Sequence, residues 1–513
     1  MSLRVAVVGS GPSAFYAAAR LLGSSANVQV DMYERLPTPH GLVRWGVAPD
    51  HPDVKNVEHR FAEVARDPRF RFFGNVNVVA AHAEASTSAQ QLDYPHALPL
   101  PLASLKQHYS ALLLAYGSTL ARPLGVPGAA PGELSGVHSS LDFVHWYNGH
   151  PTAHDAALLA RAPWRRVDLS STRNVAVIGA GNVALDVARL ILRAPTALDP
   201  SSPSTSSGAK GLAALRTSDI PEPVLEHLSR ARVEHVGIFA RRGAAQLACT
   251  TKELREMLTL PGSRFRAIAE QDLAVAKEDL KALEAAAASD PERATEARVR
   301  KRMLALLEKH SNEAMPLEQG TPSWGFNFFH RPQELRPASS DAARVGSARW
   351  QVGKSETSET PADTVVSSVG YLGAPLAGSE LASDAAMPWD ASRGVVPNEG
   401  GRVRGMPGMY VSGWLARGPV GVIASTMFDA NSVADLLLAD WAAQSEHSAA
   451  RGLLQDVPAP ADGVPHELRA PTKPVVSWAG WERLDREELR RGKELGKLRE
   501  KVLSVEEMLQ IAA

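Results

Sequence analysis

Two short glycine-containing runs carry the first chemistry in this sequence. Gly9-Ser10-Gly11-Pro12-Ser13-Ala14 and Gly179-Ala180-Gly181-Asn182-Val183-Ala184 share the pattern G-x-G-x-x-A. In such a run the first glycine makes a tight turn, the second lets the backbone approach a pyrophosphate, and the small last residue lets a helix pack on a strand. The helix that follows presents unpaired N–H groups and the positive end of its dipole to the phosphates. The two runs differ in what comes next. The strand after the first ends in Glu34, a carboxylate that can accept hydrogen bonds from a ribose diol. The strand after the second, "HVGIF", ends in Arg241 and Arg242. A carboxylate there repels a ribose 2′-phosphate, whereas guanidiniums bind one by charge and bidentate geometry. A solvated strand end would tolerate two arginines without any ligand; the glycine turn upstream is what points to one. The first site, acidic and at the very start of the chain, is expected to hold FAD, and the second NADP. Together they imply hydride transfer from NADPH to a flavin.

The flanking elements fit this. Leu3 to Val8 is a valine-rich apolar run, "AFYAAARLL" has helical character, and "VQVDMYE" is a second strand, so the first turn sits in a β-α-β unit. "NVAVIGAGNVALDVARLIL" repeats the arrangement from Asn174, and the strand "HVGIF" follows after an interruption. The fold class expected is α/β, with two Rossmann-like dinucleotide-binding domains. The interruption, "APTALDPSSPSTSSGAKG", is Ser/Pro/Gly-rich and reads as a poorly ordered insertion without a chemical role. The stretch from Ala274 to His310 has high helix propensity and mixed charge, and is expected to form one or two exposed helices; its "RVRKRM" cluster reads as a solvated face. "ASTSAQQLDYPHALPLPLAS" reads as a surface excursion. "SALLLAYGS", "TVVSSVGY" and "GMYVSGW" read as strands ending in glycine, suited to close backbone approach to a ligand, and the charged C-terminal segment as a helical cap.

Composition removes several destinations for the electrons. The chain has 513 residues, 44% hydrophobic and 22% charged, with a formal net charge of −1, a globular profile with no global pull towards nucleic acid or membrane surface. Its single cysteine, Cys249, can form neither a dithiol redox pair nor a cysteine-ligated iron–sulfur cluster, so disulfide-reductase and cluster-bearing routes are closed. No apolar run is long enough to span a bilayer. The first strand is expected within a few residues of Met1, so no signal or transit peptide is expected in this sequence, and the protein is expected to be targeted otherwise or to be a processed or trimmed form. No F-x-G-x-x-x-H linker of the flavin monooxygenase type stands between the two turns. What remains is a flavin that passes electrons to an external acceptor, with a monooxygenase or NADPH oxidase, or a non-catalytic NADP-sensing scaffold, as the rivals.

Four longer motifs are more specific. "GLVRWGVAPDHPDVKNV" from Gly41, "GAGNVALDVARLIL", "ARRG" with "TKELREM", and "GWLARGPVGVIASTMFDA" together resemble the adrenodoxin reductase family, the NADPH:ferredoxin reductases that serve 2Fe–2S ferredoxins, and the resemblance runs from Arg4 almost to the C-terminus. It implies a NADP domain inserted into a discontinuous FAD domain, with boundaries at 1–116, 117–366 and 367–513 and inserted loops near 194–211 and 270–315. It implies that Ser13, Leu42 and Val78 line the FAD beside Gly9, Gly11, Ala14 and Glu34, and that Trp414 with Gly421, Val422 and Ile423 closes over the flavin and nicotinamide. For NADP it adds Glu253 to Gly179, Ala180, Gly181, Asn182, Arg241 and Arg242. His51 and Asp186 match a histidine and an aspartate near the reacting rings, in proton handling. The partner implied is an acidic 2Fe–2S ferredoxin, docking on a basic patch built from Arg230, Arg232, Lys252 and Arg255, and the location implied is the mitochondrial matrix side.

Overall fold

The computed structural model describes residues 2–80, 94–193, 211–287, 290–317, 320–379, 387–421, 423–446 and 463–513. Two mainly parallel sheets organise them. The larger has seven strands in the order Asn398–Glu399, Arg402–Val403, Met409–Val411, Ala111–Leu114, Leu3–Val8, Val28–Glu34, Phe70–Gly74. Leu3–Val8 is central and every residue of it is buried, which is why it reads as an unbroken apolar run rather than an alternating one. Parallel pairing sets Val8 beside Tyr33 and beside Leu114, so the carboxyl ends of three strands meet at the first glycine turn.

The second sheet has six strands in the order Arg264–Phe265, Ser323–Asn327, His235–Phe239, Asn174–Ile178, Thr364–Ser367, Val137–Ser139. All of them lie in the chain between the fourth and fifth strands of the first sheet, so one unit interrupts the other. In both, the helix after the glycine turn lies on the sheet. Pro12–Leu22 starts with proline at its first turn, the position where its missing N–H costs nothing, and packs against Ile423–Glu446 from the far end of the chain.

Three segments depart from the sequence reading. The stretch taken for a surface excursion is core in its second half: Leu98–Pro101 pairs with Val76–Val79, and Leu98, Leu100 and Leu102 are buried. The prolines hid a strand because it is two-stranded and tolerates missing donors. The charged stretch after residue 270 forms two helices, Glu270–Ala286 and Pro291–Asn312, each with one face in the core through Leu273, Ala276, Leu280, Met303, Leu304 and Leu307. A three-stranded antiparallel sheet, His330–Ala338, Asp341–Val352 and Glu356–Pro361, was not anticipated; its Trp350 stacks on Phe239 at 3.9 Å. The serine-rich insertion expected over 194–211 lies, apart from Gly211, outside the described residues.

The C-terminal segment does more than cap. Val476 pairs with Gly74 of the first sheet, and Glu488, on the Trp478–Glu494 helix, is fully buried against Arg44 at 2.7 Å. Farther on, Lys501 meets Asp219 at 2.8 Å and the carbonyl of Asn148 at 2.9 Å, and the Val505 amide donates to Asp155. One strap thus holds both sheet units. Burial lowers the Lys501 ammonium to about 7, with Asp219 opposing the shift.

Candidate functional site

The first turn has the shape a pyrophosphate needs. Gly9 sits at φ 102°, and a Cβ there would come within 2.5 Å of the Tyr116 backbone, so only glycine fits. A Cβ on Gly11 would meet nothing within 4 Å, which leaves an open cradle over the helix start. That helix has no side-chain cap, so its first N–H groups are free for an anion. Ala14 is fully buried, the close helix–strand contact that its small size allows. Glu34 is fixed by three donors: Ser10 N at 3.2 Å, Ser10 Oγ at 2.7 Å and Leu36 N at 3.1 Å. A carboxylate accepts about four bonds, so acceptor capacity remains for a ribose. These features fit the diphosphate and ribose of an FAD.

Distant segments close around this turn. Gly41, at φ 50°, brings the chain before Leu42 so near that a Cβ would lie 3.1 Å from Gly11. Ser13 Oγ bonds Ser412 Oγ at 2.6 Å, and a Cβ on Gly413 would lie 2.8 Å from Ser13. Trp414 follows at once, partly buried, its ring 6.1 Å from Tyr371. Val78 is only 5% exposed and belongs to the core under the turn. Gly421 is exposed at φ 90° and Ile423 is partly buried at the start of its helix. Val422 lies outside the described residues.

The second turn repeats the first. Gly179 has φ 119°, a Cβ there would fall 2.2 Å from the Ser368 carbonyl oxygen, and a Cβ on Gly181 would again meet nothing within 4 Å. Ala180 O accepts from Ala248 N at 3.2 Å and Asn182 Oδ1 from Thr250 N at 2.7 Å, which ties the turn to the helix Thr251–Leu258. Arg241 and Arg242 stand exposed just past the His235–Phe239 strand, and among the described residues neither side chain forms a hydrogen bond or ion pair. Two uncommitted guanidiniums beside an open glycine turn fit a 2′-phosphate.

Between the turns lies a charged cluster. Single ligating atoms of His51, Asp186 and Glu253 lie within 4.8 Å of one another, and His51 Nε2 is 2.7 Å from Glu256 Oε2. At its centre is Arg189, fully buried on the helix Asn182–Arg193. Its guanidinium reaches Asp50 at 2.7 and 3.0 Å, Asp186 at 2.9 Å and Glu253 at 3.1 Å. Burial raises the Asp186 carboxyl to about 6, against the opposing pull of Arg189. Its Oδ1 is buried 2.9 Å from the Arg189 guanidinium without a well-aligned hydrogen bond, an ion pair set against the cost of burial. Asp50 moves the other way: burial opposes ionisation, but the Arg189 hydrogen bonds and charge prevail and hold it below the usual carboxylate range. The sequence reading found His51, Asp186 and Glu253 and missed Asp50, Arg189 and Glu256. A signal existed in an arginine set among apolar residues of an amphipathic helix, but its partners are 64 and 139 residues away.

The four basic residues do not form one contact set. Arg230 and Arg232 precede the His235–Phe239 strand, where Arg230 pairs with Glu226 at 3.0 Å. Lys252 and Arg255 lie on Thr251–Leu258, both exposed, with Lys252 a loose 3.8 Å from Glu256. Cys249 is buried and its thiol is pushed up by burial to about 12, so it is not a reactive thiolate.

Known proteins share this arrangement. Residues 3–198 match the family described as pyridine nucleotide-disulphide oxidoreductase. The mitochondrial NADPH:adrenodoxin oxidoreductase of Salvelinus fontinalis is 38% identical, covering 100% of this chain and 91% of that protein. The NADPH-ferredoxin reductase FprA of Mycobacterium tuberculosis is 35% identical over 99% of this chain and 98% of its own. A solved structure of that FprA in complex with NADPH covers 100% of both chains with a TM-score of 0.77 at 32% identity. No helix among the described residues is long and apolar enough to cross a membrane.

Proposed function

The chain belongs to the family of NADPH:adrenodoxin oxidoreductases and NADPH–ferredoxin reductases, and we propose that it is an FAD-dependent enzyme that carries electrons from NADPH to a 2Fe–2S ferredoxin, one at a time. The observation that carries this reading is the pairing of two like-shaped turns with ribose partners of opposite charge, Glu34 at one and Arg241 with Arg242 at the other.

FAD, when bound, would supply what no side chain can, taking up one hydride, an electron pair, and returning it as two single electrons. The protein's own residues bind, orient and manage protons. Gly9, Gly11, Ser13, Ala14 and Glu34 would cradle the FAD diphosphate and ribose, with Leu42, Val78, Trp414, Gly421 and Ile423 around the rest; Val422 is assigned there by the resemblance alone. Gly179, Ala180, Gly181 and Asn182 would do the same for NADPH, Arg241 and Arg242 would grip its 2′-phosphate, and Glu253, paired with Arg189, would complete the set. With its carboxyl near 6, Asp186 is ionised at neutral pH and takes up a proton as the pH falls through that value, with His51 beside it.

The inserted-domain organisation with boundaries at 1–116, 117–366 and 367–513 is part of this proposal, supported by the chain order of the two sheets. For an acidic ferredoxin, exposed Lys252 and Arg255 near the second turn are the better-supported half of the basic patch, and Arg230 and Arg232 the weaker half. The mitochondrial names of animal and fungal relatives support a matrix-side location, which imaging of a tagged full-length gene product checks. The experiment that tests the function is cytochrome c reduction by the purified protein with NADPH or NADH, with and without a 2Fe–2S ferredoxin. Ferredoxin dependence and NADPH preference are expected. NADPH consumption coupled to oxygen, with a hydroxylated product and no ferredoxin dependence, would instead favour a monooxygenase.

A further inference from the structure

Arg189 belongs to neither proposed cofactor-binding set, yet it contacts members of the site, Glu253 and Asp186, and joins the parts that must meet there. It is fully buried on the helix Asn182–Arg193, which starts at the NADP turn. Through a two-pronged pair with Asp50 it holds the loop that carries His51, a segment from the flavin unit. On its own helix it meets Asp186 at 2.9 Å, and on the neighbouring helix Glu253 at 3.1 Å and Glu256 at 3.7 Å. We propose that Arg189 is a positioning residue for the hydride-transfer site: it ties the His51 loop of one unit to the Asp186 and Glu253 side chains of the other, and so sets the distance between the two reacting units. This rests on the reading of the site given above.

The physical case is one of compensation. A buried guanidinium is costly unless paired, and four carboxylates gathered without it would repel one another. Three of them, Asp50, Asp186 and Glu253, lie within 3.1 Å of the same cation, while Glu256, 3.7 Å from it, is held by His51 at 2.7 Å. Moving the loop would break the two-pronged pair with Arg189 and leave Asp50 only its longer contact to Arg193 at 3.2 Å. Planarity matters as well as charge, because one face of the fork is committed to Asp50 while its outer nitrogens reach the other acids.

Removing the cation also changes protonation. The charged and titratable groups around Asp186 are Arg189 and Arg193 on its helix, Asp50 and His51 on the loop, Glu253, Glu256 and, beyond it, Lys252 on Thr251–Leu258, and the Tyr147 and Tyr371 hydroxyls. Arg189 is the nearest positive charge in this set, so its loss moves the Asp186 carboxyl further up.

The test uses the FAD-loaded full chain with Arg189→Gln and Arg189→Lys, ferricyanide as electron acceptor. For Arg189→Gln we expect kcat to fall roughly 100-fold with the NADPH KM held within about threefold. The acid limb of the pH profile should move up by about one unit. Arg189→Lys should recover part of the kcat and most of the pH profile. Hydrogen exchange gives the readout independent of turnover: amides from 48 to 56 should exchange faster in Arg189→Gln, while those of Leu3–Val8 and Asn174–Ile178 stay protected. Should Arg189→Gln fail to fold, Asp50→Asn removes the same tether and should give the same kcat loss and local exchange. An unchanged kcat and pH limb overturns the inference, as does an exchange increase spread over both sheets without rescue by lysine. Failure of the unaltered protein to oxidise NADPH would overturn the reading of the site instead.

Discussion

At the first glycine turn the ribose-end carboxylate is already held by the protein's own donors; at the second, the two ribose-end guanidiniums have no partner among the described residues. Glu34 takes three donors from Ser10 and Leu36, Ser13 is locked to Ser412, and the chain before Leu42 presses on Gly11. Arg241 and Arg242 stand exposed with no partner among the described residues. The backbones are near copies, each with a crushed first glycine and an open second one. The difference matches two modes of binding. A preorganised, enclosed cradle suits a resident cofactor, and free guanidiniums at an open edge suit a substrate that arrives and leaves every turnover.

The largest effects should come from breaking what the turns share. Gly9→Ala and Gly179→Ala each place a Cβ inside backbone atoms, at 2.5 and 2.2 Å, at φ values alanine avoids. Each should cost about 3 kcal/mol or more of stability, read as a lowered midpoint in thermal or denaturant unfolding. Gly11→Ala and Gly181→Ala meet nothing within 4 Å and should fold normally. The first should lose bound FAD, seen as a drop in flavin absorbance per chain, and the second should lose NADPH affinity with FAD retained. Equal folding defects in all four variants would mean that the second glycines serve packing rather than a phosphate.

Next in size is the charge opposition. Each charge-assisted hydrogen bond to a phosphate is worth about 1.5–3 kcal/mol, so Arg241→Ala with Arg242→Ala should cut the NADPH-over-NADH ratio of kcat/KM by roughly 100-fold or more. Glu34→Gln, which keeps shape and removes charge, should weaken FAD retention by about tenfold, with little effect on the nucleotide ratio. A change in NADPH selectivity from Glu34→Gln would erase the distinction between the sites.

How far the sequence reaches follows from these residues. The turns, their strands and the arginine pair are local signals, each set by spacing within one β-α-β unit, and they were readable. Asp50 and Glu256 were not, because the ion cluster is assembled from segments far apart in the chain; Arg189 left a trace, an arginine on the apolar face of its helix, but one that names no partner. Leu98–Pro101 was hidden by its prolines, and of the two charged helices, expected as helices, only the buried faces were missed, although in both cases the leucines that enter the core stood in plain view. The C-terminal strap read as a charged helix, and nothing local in "GKLREKV" says that Lys497 and Lys501 are buried.

Acid should distinguish the two units as well. His145 and His150 stack at 4.0 Å inside the second unit, burial holding His145 at about 3 and His150 well below its ordinary value. Both are neutral in the fold, while the unfolded chain takes up their protons below the ordinary value of 6.5. Stability is therefore lost as pH falls through that value, by about 1.4 kcal/mol per pH unit for each histidine. Asp186, with its carboxyl raised to about 6, contributes in the opposite sense and offsets part of one histidine. Between pH 7 and 5 the second unit should lose exchange protection before the first, and His150→Gln should flatten the dependence.

The smallest effect expected is at the partner surface, and it asks whether the openness of the second unit extends to a protein. Lys252 and Arg255 are exposed, and only Lys252 has even a distant carboxylate, so neither stabilises the fold appreciably. Charge at such a rim acts mainly on encounter rate. Lys252→Gln with Arg255→Gln should raise the KM for an acidic ferredoxin by roughly threefold to tenfold at low salt and leave ferricyanide reduction unchanged. The gap between variant and native protein should close as salt screens the field over a Debye length of about 10 Å at 0.1 M. Arg230 pairs with Glu226 and lies on the other side of its strand, so Arg230→Gln should do less. If it did more, the docking face would lie along the amino ends of the strands, away from the NADP turn.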